Sequence, residues 1–257
     1  MIISRKTFLR ATGFSLLVAA GKKLGVVFAD AAQNAAFAPS RALTAGRWAM
    51  LVDISKCLEK EDCTKCIQAC DRSHNVPEFT EPAHQVKWIW KASFENVFPS
   101  QQHDYVMDRL KEKPVLALCN HCSEPPCVRV CPTQATWKRA DGIVMMDWHR
   151  CIGCRYCMAA CPYGSRSFNW LDPRPHIAKL NPDFPTRTKG VVEKCNFCEE
   201  RLAKGQLPAC VEACPQKAMV FGDLDDPNSQ VRELLRSRYT IQRKPELGTK
   251  PEIFYIV

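Results

Sequence analysis

Apolar residues come in short bursts along this chain rather than in long periodic stretches. Residues 114–122, PVLALCNHC, open with an unbroken apolar run, which predicts a buried strand leading into a loop. Residues 135–146, ATWKRADGIVMM, break at Asp141-Gly142 and predict two short strands about a hairpin turn. Residues 86–110 carry Trp88, Trp90, Phe94, Phe98 and Tyr105, and predict an inserted hairpin or loop covering a sheet, its aromatics serving packing. A helix is expected over residues 228–239, starting near Asp226-Pro227. The tail that follows, PELGTKPEIFYIV, ends in an apolar strand that either tucks onto its own sheet or docks on a partner. With 18 prolines punctuating these segments, the expected class is a loop-rich α+β body without a large apolar core.

The 16 cysteines change the picture, because they fall into four runs of four. The third is CIGCRYCMAACP, with Cys151, Cys154, Cys157 and Cys161 before Pro162, the spacing with which bacterial ferredoxins wrap iron–sulfur cubanes. A tight Cys-x2-Cys-x2-Cys loop brings three thiolates to one cubane. The fourth cysteine, three residues on, points away and ligates a second cluster. Run one is Cys57, Cys63, Cys66 and Cys70, with five residues in its first gap where two are usual. Run two is Cys119, Cys122, Cys127 and Cys131; run four is Cys195, Cys198, Cys210 and Cys214. Pro132, Pro162 and Pro215 follow three of the runs and turn the chain away after the last ligand, whereas Asp71 follows run one.

Only 19 residues separate runs two and three, which fits a two-cluster unit and leaves run one to close on run four. The expected architecture is therefore two nested ferredoxin-like units carrying four [4Fe-4S] clusters. The inner unit covers about 112–170, the outer about 46–80 plus 188–225, and residues 226–257 form a C-terminal tail. Crossed ligation gives Cys57, Cys63 and Cys66 with Cys214; Cys70 with Cys195, Cys198 and Cys210; Cys119, Cys122 and Cys127 with Cys161; and Cys131 with Cys151, Cys154 and Cys157. A disulfide framework fits poorly, since the chain is no short scaffold and its cysteines stand in tetrads. Zinc ribbons use paired Cys-x2-Cys knuckles rather than three-cysteine loops with a trailing cysteine. A zinc-bound structural protein remains the rival of a different class, and a visible absorption that dithionite bleaches separates the two.

The N-terminal residues Ser4-Arg5-Lys6-Thr7-Phe8-Leu9-Arg10 resemble the twin-arginine export signal, with lysine at the second arginine position. That pathway carries folded proteins, as a protein loaded with clusters in the cytoplasm requires. Residues 11–20 form an apolar stretch ended by Gly21-Lys22-Lys23, too short to span a bilayer. Residues 1–38 thus read as a signal segment ending at Ala36-Phe37-Ala38, with Ala29-Asp30-Ala31 as another cleavage site and retention as a membrane-surface anchor a further option. Residues 39–257 form the four-cluster domain, in an extracytoplasmic or periplasmic location.

The formal net charge of +9 drops to +5 without that segment, which holds Arg5, Lys6, Arg10, Lys22 and Lys23 against Asp30. Four clusters at about −2 each, thiolates included, reverse the sign. The basic excess is therefore expected to compensate buried anionic clusters, through residues such as Arg129, Lys138, Arg150, Arg155 and Lys194, and does not point to nucleic acid.

No phosphate-binding glycine loop and no nucleophile elbow is present, so no catalytic residue and no small substrate are assigned. His121 and His149 flank ligand cysteines and are expected to act as donors near a cluster or in packing, while His74, His84, His103 and His176 show no constellation around them. The four-run arrangement with an export signal resembles the electron-transfer beta subunits of the dimethyl sulfoxide and polysulfide reductase superfamily over nearly the whole mature chain. Residues 46–57 (GRWAMLVDISKC), 74–77 (HNVP), 135–170 and 221–229 (FGDLDDPNS) resemble the DsrO family, periplasmic iron–sulfur subunits of DsrMKJOP membrane complexes in sulfur metabolism. This resemblance implies an electron relay between a quinone-interacting membrane subunit of the DsrP kind and a multihaem cytochrome c of the DsrJ kind, with DsrMK-like subunits completing the complex. The alternative within the superfamily is the beta subunit of a molybdopterin polysulfide, tetrathionate or nitrite-type reductase.

Overall fold

The computed structural model describes residues 42–257 apart from Glu61 and Met107; the signal segment expected at residues 1–38 lies outside the described residues. Its strands are β1 (Trp48–Asp53), β2 (Ile89–Ser93), β3 (Pro114–Leu118), β4 (Thr136–Lys138), β5 (Val144–Met146), β6 (Ser167–Phe168), β7 (Val192–Glu193), β8 (Met219–Asp223), β9 (Thr240–Ile241) and β10 (Ile253–Ile256). They form one four-stranded sheet in the order β8-β1-β10-β9 and three two-stranded sheets, β2-β3, β4-β5 and β6-β7. Among the described residues no helix is long and apolar enough to cross a membrane.

The main sheet is apolar on both faces, which is why β1 reads WAMLVD without alternation. Trp48, Met50 and Val52 enter the larger core, while Ala49 and Leu51 point the other way into a small cluster with Leu224, Val231 and Ile256. β10 repeats the split, with Ile253 and Tyr255 in the first core and Ile256 in the second. The helix Gln230–Ser237 covers the second face. It starts two residues later than the expected 228, because Ser229 caps it by accepting the Arg232 N–H at 3.3 Å. A Cβ on Gly222 would lie 3.1 Å from Val231 Cγ2, so this helix sits directly on β8.

The hairpin about Asp141-Gly142 forms as expected, with Thr136 opposite Met146 and Gly142 at φ +86°. β3 is the expected buried strand. The aromatic segment before it does more than cover a sheet: β2 pairs antiparallel with β3, Ile89 opposite Leu118, and Trp88, Phe94 and Phe98 belong to the core. The terminal strand takes the first of its two expected courses. β10 runs parallel to β1 inside the sheet, and the Tyr255 hydroxyl donates to the Leu116 carbonyl at 3.0 Å, tying that sheet to β3.

This frame sets the cysteine loops. β1 leads directly into the helix Ile54–Leu58 carrying Cys57, capped by Asp53, which accepts the Lys56 N–H at 3.0 Å. Antiparallel β8 brings the end of run four to the same place. The helix Lys65–His74 packs on the helix Ala209–Glu212, and the helix Pro126–Arg129 packs on the helix Tyr156–Ala160.

Candidate metal centre

None of the 16 cysteines is in a disulfide, and they gather by place rather than by run. Cys57, Cys63, Cys66 and Cys214 crowd together: burial first and then Cys57, Cys214 and Cys63 push the Cys66 thiol up to about 12. Cys70 stands with Cys198, Cys195 and Cys210, and its thiol is raised by complete burial and by all three neighbours. Burial, then Cys119, Cys127 and Cys161, push Cys122 up to about 12 against the pull of a Thr249 hydrogen bond. One small cavity is lined by Cys119, Cys122, Cys127 and Cys161, and another by Cys131, Cys151, Cys154 and Cys157.

The groups also abut one another. Cys66 bears on Cys210, Cys119 on Cys195, and Cys127 on Cys157, each raising the other group's thiol. Exposure differs along this line. Cys70, Cys195, Cys198 and Cys210 are all buried, whereas Cys57, Cys63 and Cys214 at one end and Cys131, Cys151 and Cys154 at the other are half-buried. Cys131 also behaves differently: burial raises its thiol, but hydrogen bonds from the Thr136, Thr133 and Ala135 backbone and the Thr133 hydroxyl outweigh it and hold the thiol below its ordinary value.

Three of the tight loops share one backbone device. The residue before the second cysteine is left-handed in each: His121 at φ +42°, Gly153 at +67° and Phe197 at +57°. Gly153 is confined further, since a Cβ there would sit 2.3 Å from the Gly190 carbonyl oxygen. His121 and Phe197 stack on each other at 3.7 Å between ring centres, locking the second and fourth runs face to face. His121 Nδ1 accepts the Val144 N–H at 3.1 Å, so this histidine packs and braces its loop. His149 is exposed, and only its backbone N–H is engaged, donating to Asp147 at 2.8 Å.

Of the basic residues expected to compensate the site, Lys194 alone is buried; Arg129, Lys138, Arg150 and Arg155 are exposed. Lys194 Nζ donates to the Cys195 carbonyl at 2.6 Å and to that of Val144. Burial lowers its pKa while Cys119, Cys195 and Cys127 oppose that. Arg166, which no spacing in the sequence singles out, is buried and donates to the Thr136 hydroxyl at 2.8 Å. Burial disfavours its charge, but Cys127, Cys157 and Cys119 more than restore it. A buried guanidinium facing three cysteines is placed to offset negative charge on whatever those sulfurs bind.

His74, expected to stand alone, has the fullest surroundings of any histidine here. Its ring is buried between a stacked Trp88 at 4.4 Å and the edge of Phe184 at 4.8 Å. Nε2 lies 3.0 Å from a Glu200 carboxylate oxygen, and Nδ1 lies 2.9 Å from the Cys70 carbonyl and 3.5 Å from Cys70 Sγ.

Sulfur donors grouped by four in enclosed spaces, with buried cations beside them, fit iron–sulfur cubanes; carboxylates and imidazoles for a hydrolytic metal site do not line these cavities. The class is that of the iron–sulfur electron carriers. Residues 114–174 and 180–224 match the 4Fe-4S dicluster domain. The chain is 42% identical to the Hdr-like menaquinol oxidoreductase iron-sulfur subunit 1 of Archaeoglobus fulgidus, over 99% of this chain and 98% of that protein. It is 37% identical to the arsenate respiratory reductase iron-sulfur subunit ArrB of a Shewanella species (82% and 96%), and 35% identical to protein NrfC of Escherichia coli (100% and 96%). The chain belongs to this family of oxidoreductase iron–sulfur subunits, and it is an electron-transfer subunit that carries [4Fe-4S] clusters.

Proposed function

We propose that the chain holds four [4Fe-4S] clusters in two nested ferredoxin-like units and relays electrons between a membrane quinone-interacting subunit and a periplasmic cytochrome c. The ligand sets are Cys57, Cys63, Cys66 and Cys214; Cys70, Cys195, Cys198 and Cys210; Cys119, Cys122, Cys127 and Cys161; and Cys131, Cys151, Cys154 and Cys157. The observation that carries this is the pair of four-cysteine cavities, each taking one wall from a different run. When bound, the clusters supply one-electron donor and acceptor sites. The chain supplies neighbouring sulfur sets that act on one another electrostatically, buried Lys194 and Arg166 to offset their charge, and a fully buried set between two half-buried ends. Exposed apolar side chains flank one of those ends, Ile152 at 67% and Tyr156 at 64%, as a face covered by a partner subunit requires.

Anaerobically purified protein should contain close to four clusters' worth of iron and sulfide and no stoichiometric zinc. Cys214→Ser should disturb the same paramagnetic signal as Cys63→Ser, and Cys131→Ser the same signal as Cys154→Ser. Two clusters in fully reconstituted protein, or Cys131→Ser matching Cys63→Ser, would overturn the assignment.

The complex we favour is of the DsrMKJOP kind, with DsrP-like, DsrJ-like and DsrMK-like partners; likeness to a menaquinol oxidoreductase subunit over the whole chain supports it. Likeness to the arsenate respiratory reductase subunit favours a second reading, the beta subunit of a molybdopterin reductase. Copurification of a multihaem cytochrome c, as against molybdenum, decides between them. The location we propose is periplasmic, reached by twin-arginine export and held at the membrane through partners. Fractionation should find the protein retained in the cytoplasm of a translocase-deficient strain, and unchanged export there would refute this.

A further inference from the structure

Among the groups around the four sulfur sets, one side chain approaches a ligand sulfur with a ring nitrogen and is fixed on every side. His74 lies four residues after Cys70 on the helix Lys65–His74, so both side chains share one face at its C-terminal end. The ring cannot turn away: Trp88 stacks on it and Phe184 meets it edge-on. Its far nitrogen is held by Glu200 at 3.0 Å, and Glu200 is itself held by Asn196 Nδ2 at 3.0 Å, inside the loop between Cys195 and Cys198. Arg187 donates to the His74 and Asn75 carbonyls, closing the end of the helix below the ring. His74, Cys198 and Glu200 offer ligand atoms within 4.8 Å of one another, but Cys198 belongs to the sulfur set, which leaves His74 and Glu200 without a metal of their own.

What remains is Nδ1, which faces two acceptors on one residue, the Cys70 carbonyl at 2.9 Å and Cys70 Sγ at 3.5 Å. Both ring nitrogens face only acceptors, Nε2 the Glu200 carboxylate and Nδ1 Cys70, so the ring is placed to donate from both, with Nδ1 toward Cys70. A hydrogen bond to a ligand sulfur withdraws charge from it and favours the more negative, reduced state of whatever that sulfur binds. We propose that His74 is a positioning residue that raises the reduction potential of the cluster held by Cys70, Cys195, Cys198 and Cys210, with Glu200 aiming its ring. This rests on the ligand sets given above. It assigns one side chain to set the step at the set whose four cysteines are all buried.

Potentiometric EPR on the full chain tests it. His74→Phe keeps a ring for Trp88 to stack on and removes the donor. It should lower the midpoint potential of one cluster signal, the one that Cys210→Ser disturbs, leaving the other midpoints and the iron content unchanged. His74→Gln keeps a donor and should hold that midpoint nearer the wild-type value. An unshifted midpoint in iron-replete His74→Phe overturns the proposal, as does an equal shift in both variants. Should the variants lose iron, pulsed EPR of wild-type protein labelled with 15N-histidine decides: the same signal must show a nitrogen coupling, and its absence refutes the role. If Cys70→Ser and Cys210→Ser disturb different signals, the ligand sets have failed rather than His74.

Discussion

Arg187 and Glu193 form an ion pair 2.7 Å apart with no exposed surface on either side chain. Such a pair persists only when its remaining hydrogen-bonding capacity is filled, and here it largely is. Glu193 accepts from Trp88 Nε1 at 2.9 Å and Asn169 Nδ2 at 2.6 Å, while Arg187 donates to the carbonyls of His74, Asn75 and Pro185. The guanidinium also lies 5.6 Å from the Trp88 ring centre and 5.5 Å from that of Trp148. The pair stands immediately before Lys194 and Cys195, so it fixes where run four begins. Arg187→Met leaves a buried carboxylate unpaired and should lower the urea midpoint by the equivalent of about 3–5 kcal/mol. Adding Glu193→Leu should recover part of that loss, and a double variant no more stable than the single one would show that the cost lies in packing. None of this was legible from spacing. Trp88 lies 105 positions from Glu193 and Glu200 lies 126 from His74, and a lone histidine carries no signal of a carboxylate so distant in sequence.

At the scale of elements, legibility followed locality. The hairpin β4-β5 was readable because its turn residues and both strands lie within a dozen positions, and β3 because a strand apolar on both faces needs no alternation to be noticed. The helix Gln230–Ser237 was readable with its start misplaced, since Pro227 and Asp226 look like an opening while Ser229 makes the cap. β2 was not readable. Its residues IWKAS are mostly half-buried and neither alternate nor run apolar, and the segment becomes a strand only because β3 lends it a ladder. The cysteine runs were legible in the sequence, since a loop that wraps a cubane needs a fixed spacing; the buried Arg166 and Lys194 were separable from surface basic residues only by the fold. Of five expected compensating cations, the structure buries one.

Across the whole molecule, β1 and β8 carry the two ends of the outer segments into one sheet, and the helices bearing Cys66 and Cys210 pack there. Under the ligand sets proposed above, two clusters then bridge the same distant stretches of chain. Each acts as a cross-link, and what a cross-link contributes depends on the loop it closes. The first of the two to form closes a loop of roughly 150 residues, worth about 5 kcal/mol of lost chain freedom. The second finds the ends already joined and, with Cys66 beside Cys70 and Cys210 beside Cys214, closes only roughly 10 residues, worth about 2.5 kcal/mol. Either cluster alone can therefore stand in for about half of what the other contributes. Cys63→Ser and Cys198→Ser should each lower stability by about 2.5 kcal/mol, and the double variant should exceed their sum by about a further 2.5 kcal/mol, measured by anaerobic unfolding. Strict additivity would mean that the two do not clasp the same loop. If they do, the outer unit stays joined after losing either cluster and comes apart only when both clasps open.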